Sequence, residues 1–241
     1  MGIASAERAA LIDLLEGLGP EAPTLCEGWQ TRQLAAHLLV RERRPDAAPG
    51  ILIKPLSGLT DRAMRRYAEK PWPELLQLLR GGPPPWSPFW LEAVSERANV
   101  AEFFVHHEDV RRGGPGWQPR EPQAHRDAAL WKLVCRGGRL LYRNSPVGVV
   151  LRLPSGVEHT ARRSPGGAEH TAHQPPGGAE STADRFPDGA ESAARREPRT
   201  VVIIGEPGEL LLHAYGRDAV RVRFEGDPAD VAALAGSRRG L

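Results

Sequence analysis

The run Thr31-Arg32-Gln33-Leu34-Ala35-Ala36-His37-Leu38-Leu39-Val40 decides how the first half of the chain is read. It is a helix that ends before Pro45, since proline disfavours helical backbone at the residue ahead of it. From Leu34 onward every neighbour of His37 is apolar. A buried imidazole needs partners for its ring nitrogens, so this helix carries a polar group into an interior. Outward from it, residues 4–18 repeat apolar positions at helical spacing (Ala9, Ile12, Leu15), and Gly19-Pro20 closes that segment. Residues 19–30 form a loop and 45–58 a Pro-rich connection, with two short helices predicted over 60–69 and 73–80. The break Gly81-Gly82-Pro83-Pro84-Pro85-Trp86-Ser87-Pro88 precedes a long helix from about Phe89 to Arg112, closed by Gly113-Gly114-Pro115. Pro122 opens another, to about Arg143. Four substantial helices on short or Pro-rich connections predict an antiparallel four-helix bundle over residues 1–145.

Past Asn144-Ser145-Pro146 the pattern changes. Val147–Leu153, Thr200–Ile204 and Ala219–Phe224 read as strands, Gly208–Tyr215 and residues 228–235 as helices, giving a small α+β domain over 146–241. Between the first two strands lie four tandem units of eleven residues, Ser155–Pro165, Gly166–Pro176, Gly177–Pro187 and Asp188–Pro198. Their Gly and Pro, and their lack of large apolar residues, leave too little burial to offset ordering entropy. The expectation is a duplicated hairpin arm, now a disordered loop over 155–198, with one copy remaining as strand partner of Val147–Leu153.

Bulk properties exclude several classes. The chain has 241 residues and a net charge of +2, too small for a nucleic-acid binder without a clustered basic face. No run of about 18 apolar residues exists to span a membrane. The first residues form an amphipathic helix and lack the basic, apolar and small-residue regions of a signal peptide, and the myristoylation pattern fails for want of Ser or Thr at position 6. A cytoplasmic protein is expected. Cys26 and Cys135, far apart, read as two reduced thiols.

Of the eight histidines, His159, His170 and His173 lie in the repeats, His125 near a helix start facing water, and His213 in an apolar helix as a packed core residue. Glu102, within Asn99-Val100-Ala101-Glu102-Phe103-Phe104-Val105-His106, is costly as a lone carboxylate and must be paired, protonated or bound to metal. Glu102 and His106 lie one turn apart on one helix face. The same spacing recurs at Glu121/His125, Glu169/His173 and Glu209/His213, so spacing alone is weak. Glu209 reads as a solvated first-turn carboxylate. Only Glu102/His106 has a further histidine, His37, on an apolar helix of the same domain. Two imidazoles and a carboxylate suit Zn²⁺ with a fourth position open, and also Ni²⁺ or Fe²⁺. A plain buried polar pair is the competing reading. Asp109 either fixes an imidazole tautomer or caps the helix at the surface. His107 points away from His106, and Trp29 is read as a core anchor.

The segment Leu25-Cys26-Glu27-Gly28-Trp29-Gln30-Thr31-Arg32-Gln33-Leu34-Ala35-Ala36-His37-Leu38 resembles the signature of the mycothiol-dependent maleylpyruvate isomerase family, a Cys-x-Gly-Trp loop followed by a helix with a Leu-x-x-His-Leu core. Glu102-Phe103-Phe104-Val105-His106-His107-Glu108-Asp109-Val110 resembles its second signature, Glu-x-x-x-His-x-x-Asp. The likeness runs over the whole chain, including Gly216-Arg217 after the second-domain helix. The runs Arg41–Leu52 and Val105–Arg112 are closest to an uncharacterised metal-binding subfamily. The repeat expansion departs from the family. The resemblance implies a DinB-like helical bundle, a divalent metal, usually zinc, on His37, Glu102 and His106, and mycothiol as thiol cosubstrate.

On this reading the function is that of a metal-dependent isomerase or thiol transferase. A thiol on the open metal position loses its proton and attacks a small electrophile. Arg217 either clamps a substrate carboxylate or is a solvated side chain. Cys26, with no activating histidine beside it in sequence, is not expected to be a nucleophile. A non-catalytic metal or sensor module, and a structural bundle without metal, are the alternatives. Substrate and oligomeric state are not legible.

Overall fold

The computed structural model describes residues 2–51, 53–90, 92–164 and 199–240. Among them are eight α-helices and four strands, a mixed α+β fold. The helices are α1 (Ile3–Leu18), α2 (Thr31–Arg43), α3 (Ser57–Ala68), α4 (Trp72–Arg80), α5 (Glu92–Arg111), α6 (Ala124–Leu141), α7 (Pro207–Ala214) and α8 (Pro228–Ala235). The strands are β1 (Gly148–Arg152), β2 (Glu158–Arg162), β3 (Thr200–Ile204) and β4 (Arg223–Glu225).

Local chemistry sets the boundaries. Gly19 ends α1 at φ +79°, a conformation that costs a side-chain-bearing residue energy, and its N–H closes on Leu15 O. The Gln33 side chain takes the Gln30 N–H at the start of α2. Pro207 and Pro228 stand at the first position of α7 and α8, where no N–H is needed, and Asp227 accepts from Ala229 N at 2.8 Å.

Helix α1 lies along α5, and α2 packs on α3 and α4. Helix α6, expected to complete the bundle, packs chiefly against α7 and β2. One buried apolar cluster runs from Leu11, Leu15, Leu34 and Phe103 through Leu130 and Val134 to Val149, Ile203 and Leu210. The helices therefore share a core with the sheet, and α7 is held at a fixed place over the end of α5.

The sheet order is β2-β1-β3-β4, with β1 parallel to β3 and the outer pairs antiparallel. Strand β2 falls in the first repeat unit, so one copy does pair with the predicted first strand. The register skips Ala161, pairing Val149 with Arg162 and Val150 with Thr160, which marks a β-bulge. Ala161 sits so close to α6 that a Cβ on Gly138 would lie 2.9 Å from its own. The last three repeat units lie outside the described residues, as does the expectation that they form a disordered loop. The predicted strand Ala219–Phe224 is corrected to β4, starting at Arg223. Ala219 O instead accepts from Arg112, and Arg221 N donates to Glu209. No described helix is long and apolar enough to cross a membrane.

Candidate metal centre

His37 lies mid-way along α2 and is buried, at 6% exposure. Glu102 and His106 lie one turn apart on α5. Packing brings the three together. His37 Nε2 stands 3.1 Å and His106 Nε2 3.3 Å from the same oxygen, Oε1 of Glu102. The imidazole centroids are 5.1 Å apart. One donor atom from each residue lies within 4.8 Å of the others. Arg41, a turn beyond His37, reaches the other carboxylate oxygen at 3.5 Å.

The electrostatics follow from burial and pairing. Burial pushes the His37 pKa down, against the hydrogen bond that Glu102 accepts from it, so His37 favours the neutral form that ligates metal. Burial pushes Glu102 up, but hydrogen bonds to His106 and His37 overcome it and hold the carboxyl well below its usual range. His106 is disfavoured as a cation by burial, yet Asp109, Cys26 and Glu102 around it raise it well above the ordinary histidine value.

Asp109 shapes His106. Its Oδ2 takes Nδ1 of His106 at 3.0 Å, which points Nε2 toward Glu102. The surface-cap reading of Asp109 is thereby set aside: the residue is fully buried. Arg217 approaches from the turn after α7 and grips the same carboxylate in a two-point ion pair, lowering its pKa to about 2 against the upward push of burial. Its third nitrogen donates to Tyr215 O at 2.8 Å. Arg217 is thus paired with Asp109 rather than solvated, and it lines the cleft onto which the three donor residues open.

Cys26 is the residue the sequence reading passed over. Its Sγ lies 3.2 Å from Asp109 Oδ2 and 3.9 Å from His106 Nδ1, with an Arg217 nitrogen at 3.7 Å. The expectation of no histidine beside it fails, because the contact spans eighty positions in sequence. The loop that carries Cys26 is held onto the end of α5, with Leu25 N donating to Asp109 O and Pro23 O packed where Gly113 has no Cβ. Cys26, His106 and Asp109 form a second group of potential ligands. A cation already serves that group, the Arg217 guanidinium, so it is the outer layer of the first site. Trp29, expected as a core anchor, is half-buried and packs against the main apolar cluster, and its ring, 5.1 Å from that of His37, also lines the cleft.

The three donors face a cleft of about 830 Å³. Leu25, Cys26 and Trp29 form one wall and Tyr215, Arg217, Arg238 and Arg239 another. The cleft leaves space beside the three donor residues for a small molecule.

The remaining histidines lie elsewhere. His107 is buried against Glu7 and Arg120, His125 is exposed, and His159 lies on β2. His170 and His173 lie outside the described residues. His213 is buried, as expected, between Tyr142 and Arg239. Glu209 is not solvated. It is buried in a two-point ion pair with Arg112. No family model, curated protein or solved structure matches the chain.

Proposed function

We propose that His37, Glu102 and His106 hold one divalent metal ion, zinc by their donor chemistry, and that the protein is a thiol-dependent metalloenzyme of the isomerase or thiol-transferase type. The observation that carries this reading is the convergence of three donor atoms on an open cleft. A two-imidazole, one-carboxylate set with a vacant direction matches catalytic zinc sites. The likeness of Leu25–Leu38 and Glu102–Val110 to the maleylpyruvate isomerase signatures, within a DinB-like bundle, supports mycothiol as cosubstrate and a small electrophile or carboxylate as substrate.

The chain's own groups have definite tasks. Bound zinc would supply an acidified thiol at the fourth position. Asp109 fixes His106 so that Nε2 is the ligating atom. Arg217 neutralises Asp109 and ties the turn after α7 to α5. Trp29 and Leu25 contribute apolar surface to one wall of the cleft.

A second reading has one observation in its favour. Glu102 already bridges both imidazoles, so the cluster is satisfied as a structural polar core. Metal analysis separates the two. Protein supplemented with zinc and dialysed is expected to retain about one ion per chain, and His37→Ala to lose it. Fewer than about 0.2 ions per chain in the wild type would overturn the metal reading. Turnover of an electrophile only in the presence of a low-molecular-weight thiol then tests catalysis.

A further inference from the structure

The two oxygens of Glu102 face different partners. Oε1 meets both imidazoles, His37 Nε2 at 3.1 Å and His106 Nε2 at 3.3 Å. Oε2 faces the guanidinium of Arg41, whose Nε stands 3.5 Å away. A carboxylate can bind a metal through one oxygen or through both, and the choice decides how many positions remain for other ligands. Here the second oxygen already has a cation beside it.

Helix geometry sets that arrangement. Arg41 lies four residues after His37 on α2, and Asn99 lies three residues before Glu102 on α5. Each pair therefore shares one helix face. Arg41 Nη1 donates to the side-chain oxygen of Asn99, so a second polar rung joins the two helices beside the contact of His37 with Glu102. Asn99 is fully buried. On its other side the guanidinium carbon stands 4.6 Å from the centroid of the Phe89 ring, a cation–π contact. Two groups outside the ligand set thus hold Arg41 against Glu102. Glu102 lines the cleft and Arg41 does not, so Arg41 reaches the site through Glu102 rather than through a bound molecule.

A guanidinium at this place works against metal affinity. It repels a divalent ion and competes for the carboxylate that would bind it. A group present only to strengthen the site would act with the opposite sign. What the cation does is hold Oε2 away from the ion. Turning that oxygen inward would break the pair and leave a largely buried guanidinium without its counter-charge.

We propose that Arg41 is a positioning residue that restricts Glu102 to ligation through one oxygen and so keeps a coordination position free for an incoming ligand. This rests on the metal-site reading and names the residue that sets its coordination number.

The test uses the full chain loaded under argon with Co²⁺ in place of zinc, read by visible spectroscopy. The probe of the free position is 2-mercaptoethanol, and zinc affinity is measured in parallel by chelator competition. Cobalt's visible bands are intense when the ion is four-coordinate and weak when it is five- or six-coordinate, so they report the ligand number. Wild type is expected to give the four-coordinate spectrum and a thiolate charge-transfer band with the probe. Arg41→Met should give the weaker five-coordinate bands. It should also hold zinc about tenfold more tightly and the probe about tenfold less tightly, the scale of one unit charge beside a partly solvated site. Arg41→Lys keeps the charge and should keep the wild-type spectrum. Phe89→Leu, outside both ligand helices, should show the Arg41→Met changes in smaller measure. Weaker zinc binding by Arg41→Met, at the usual cost of about 10–100-fold for losing an outer partner, would make Arg41 a structural prop and overturn the proposal. So would a spectrum unchanged in Arg41→Met, or a wild type already five-coordinate. In each of these cases the ion is bound and the metal reading stands. A wild type that takes up no cobalt overturns both.

Discussion

Arg217 holds Asp109 through two nitrogens, at 2.8 and 2.6 Å, across 108 positions of sequence. The pair links the turn after α7 to the helix that carries two of the three proposed ligands, and Asp109 passes the constraint on to His106. Removing the carboxylate's charge while keeping its shape should therefore weaken metal binding without touching a ligand. Asp109→Asn is expected to lower zinc affinity by about 10–100-fold, read by competition with a chromophoric chelator. Unchanged affinity would show that Asp109 does not control the orientation of His106.

Zinc should also stabilise the fold through mass action. At a free zinc concentration about 100 times the dissociation constant the gain is about 2.7 kcal/mol, visible as a rise in melting temperature. Glu102→Ala and His106→Ala should abolish the rise. If the rise persists in both, the ion binds elsewhere.

The ion pairs around Arg112 make a second, purely structural prediction. Its Nε meets Glu108 at 2.7 Å and its terminal nitrogens meet Glu209 at 2.9 and 2.6 Å, with the side chains of all three residues almost wholly buried. Arg112→Met leaves the buried Glu209 carboxylate without a cation, only the Arg221 N–H remaining, while Glu108 keeps Arg111 and Arg120; it should cost about 3–5 kcal/mol in urea unfolding. Replacing Glu209 with leucine in the same protein should restore most of it. A loss below about 1 kcal/mol in the single variant would mean that water reaches the Glu209 carboxylate.

His213 sets a pH dependence far from the metal ligands. Arg239 donates to its Nε2, so Nδ1 carries the proton and faces Tyr142 at 2.8 Å. Burial, with Arg239 beside it, lowers its pKa to about 3. The unfolded chain has the ordinary value of about 6.5. Above that pH neither state is charged and the residue has no effect. As pH falls from 6.5 toward 3 only the unfolded state takes up the proton, so stability drops by about 1.4 kcal/mol per unit. His213→Gln keeps an acceptor for Arg239 and should flatten the slope of unfolding free energy between pH 6 and 4 by about one proton. Identical slopes in the two proteins would count against a neutral His213.

Local signals made most elements legible. The helices ending at Gly19 and before Pro45, and those opened by Pro207 and Pro228, follow from capping and proline geometry in a few adjacent residues. His37, Glu102 and His106 stood out as polar groups in apolar helices, a conflict visible without coordinates. What was not legible depends on pairing across long separations. Cys26 looked isolated because its neighbours come from the far end of α5 and the turn after α7. Glu209 looked solvated because Arg112 lies 97 positions away. Arg217 looked available because nothing local names Asp109 as its partner. Residues 219–222 alternate like a strand, but hydrogen bonds to Arg112 and Glu209 take that backbone before a ladder can.

The bulged alanine of β2 explains how the chain tolerates its own duplication. The slot over Gly138 admits only a small side chain, and each repeat unit offers alanine at the matching place: Ala161, Ala172, Ala183 and Ala194. The edge beside β1 thus has four eligible addresses. The first wins on distance. It needs a connection of five residues, 153–157, where the second needs sixteen, 153–168. That difference favours the near copy by about 1 kcal/mol of closure entropy. Gly156, at φ +90°, adds a turn suited to the short link. A unit standing downstream of the first therefore leaves in place the strand that β1 and α6 pack against, because the near copy keeps the shorter connection.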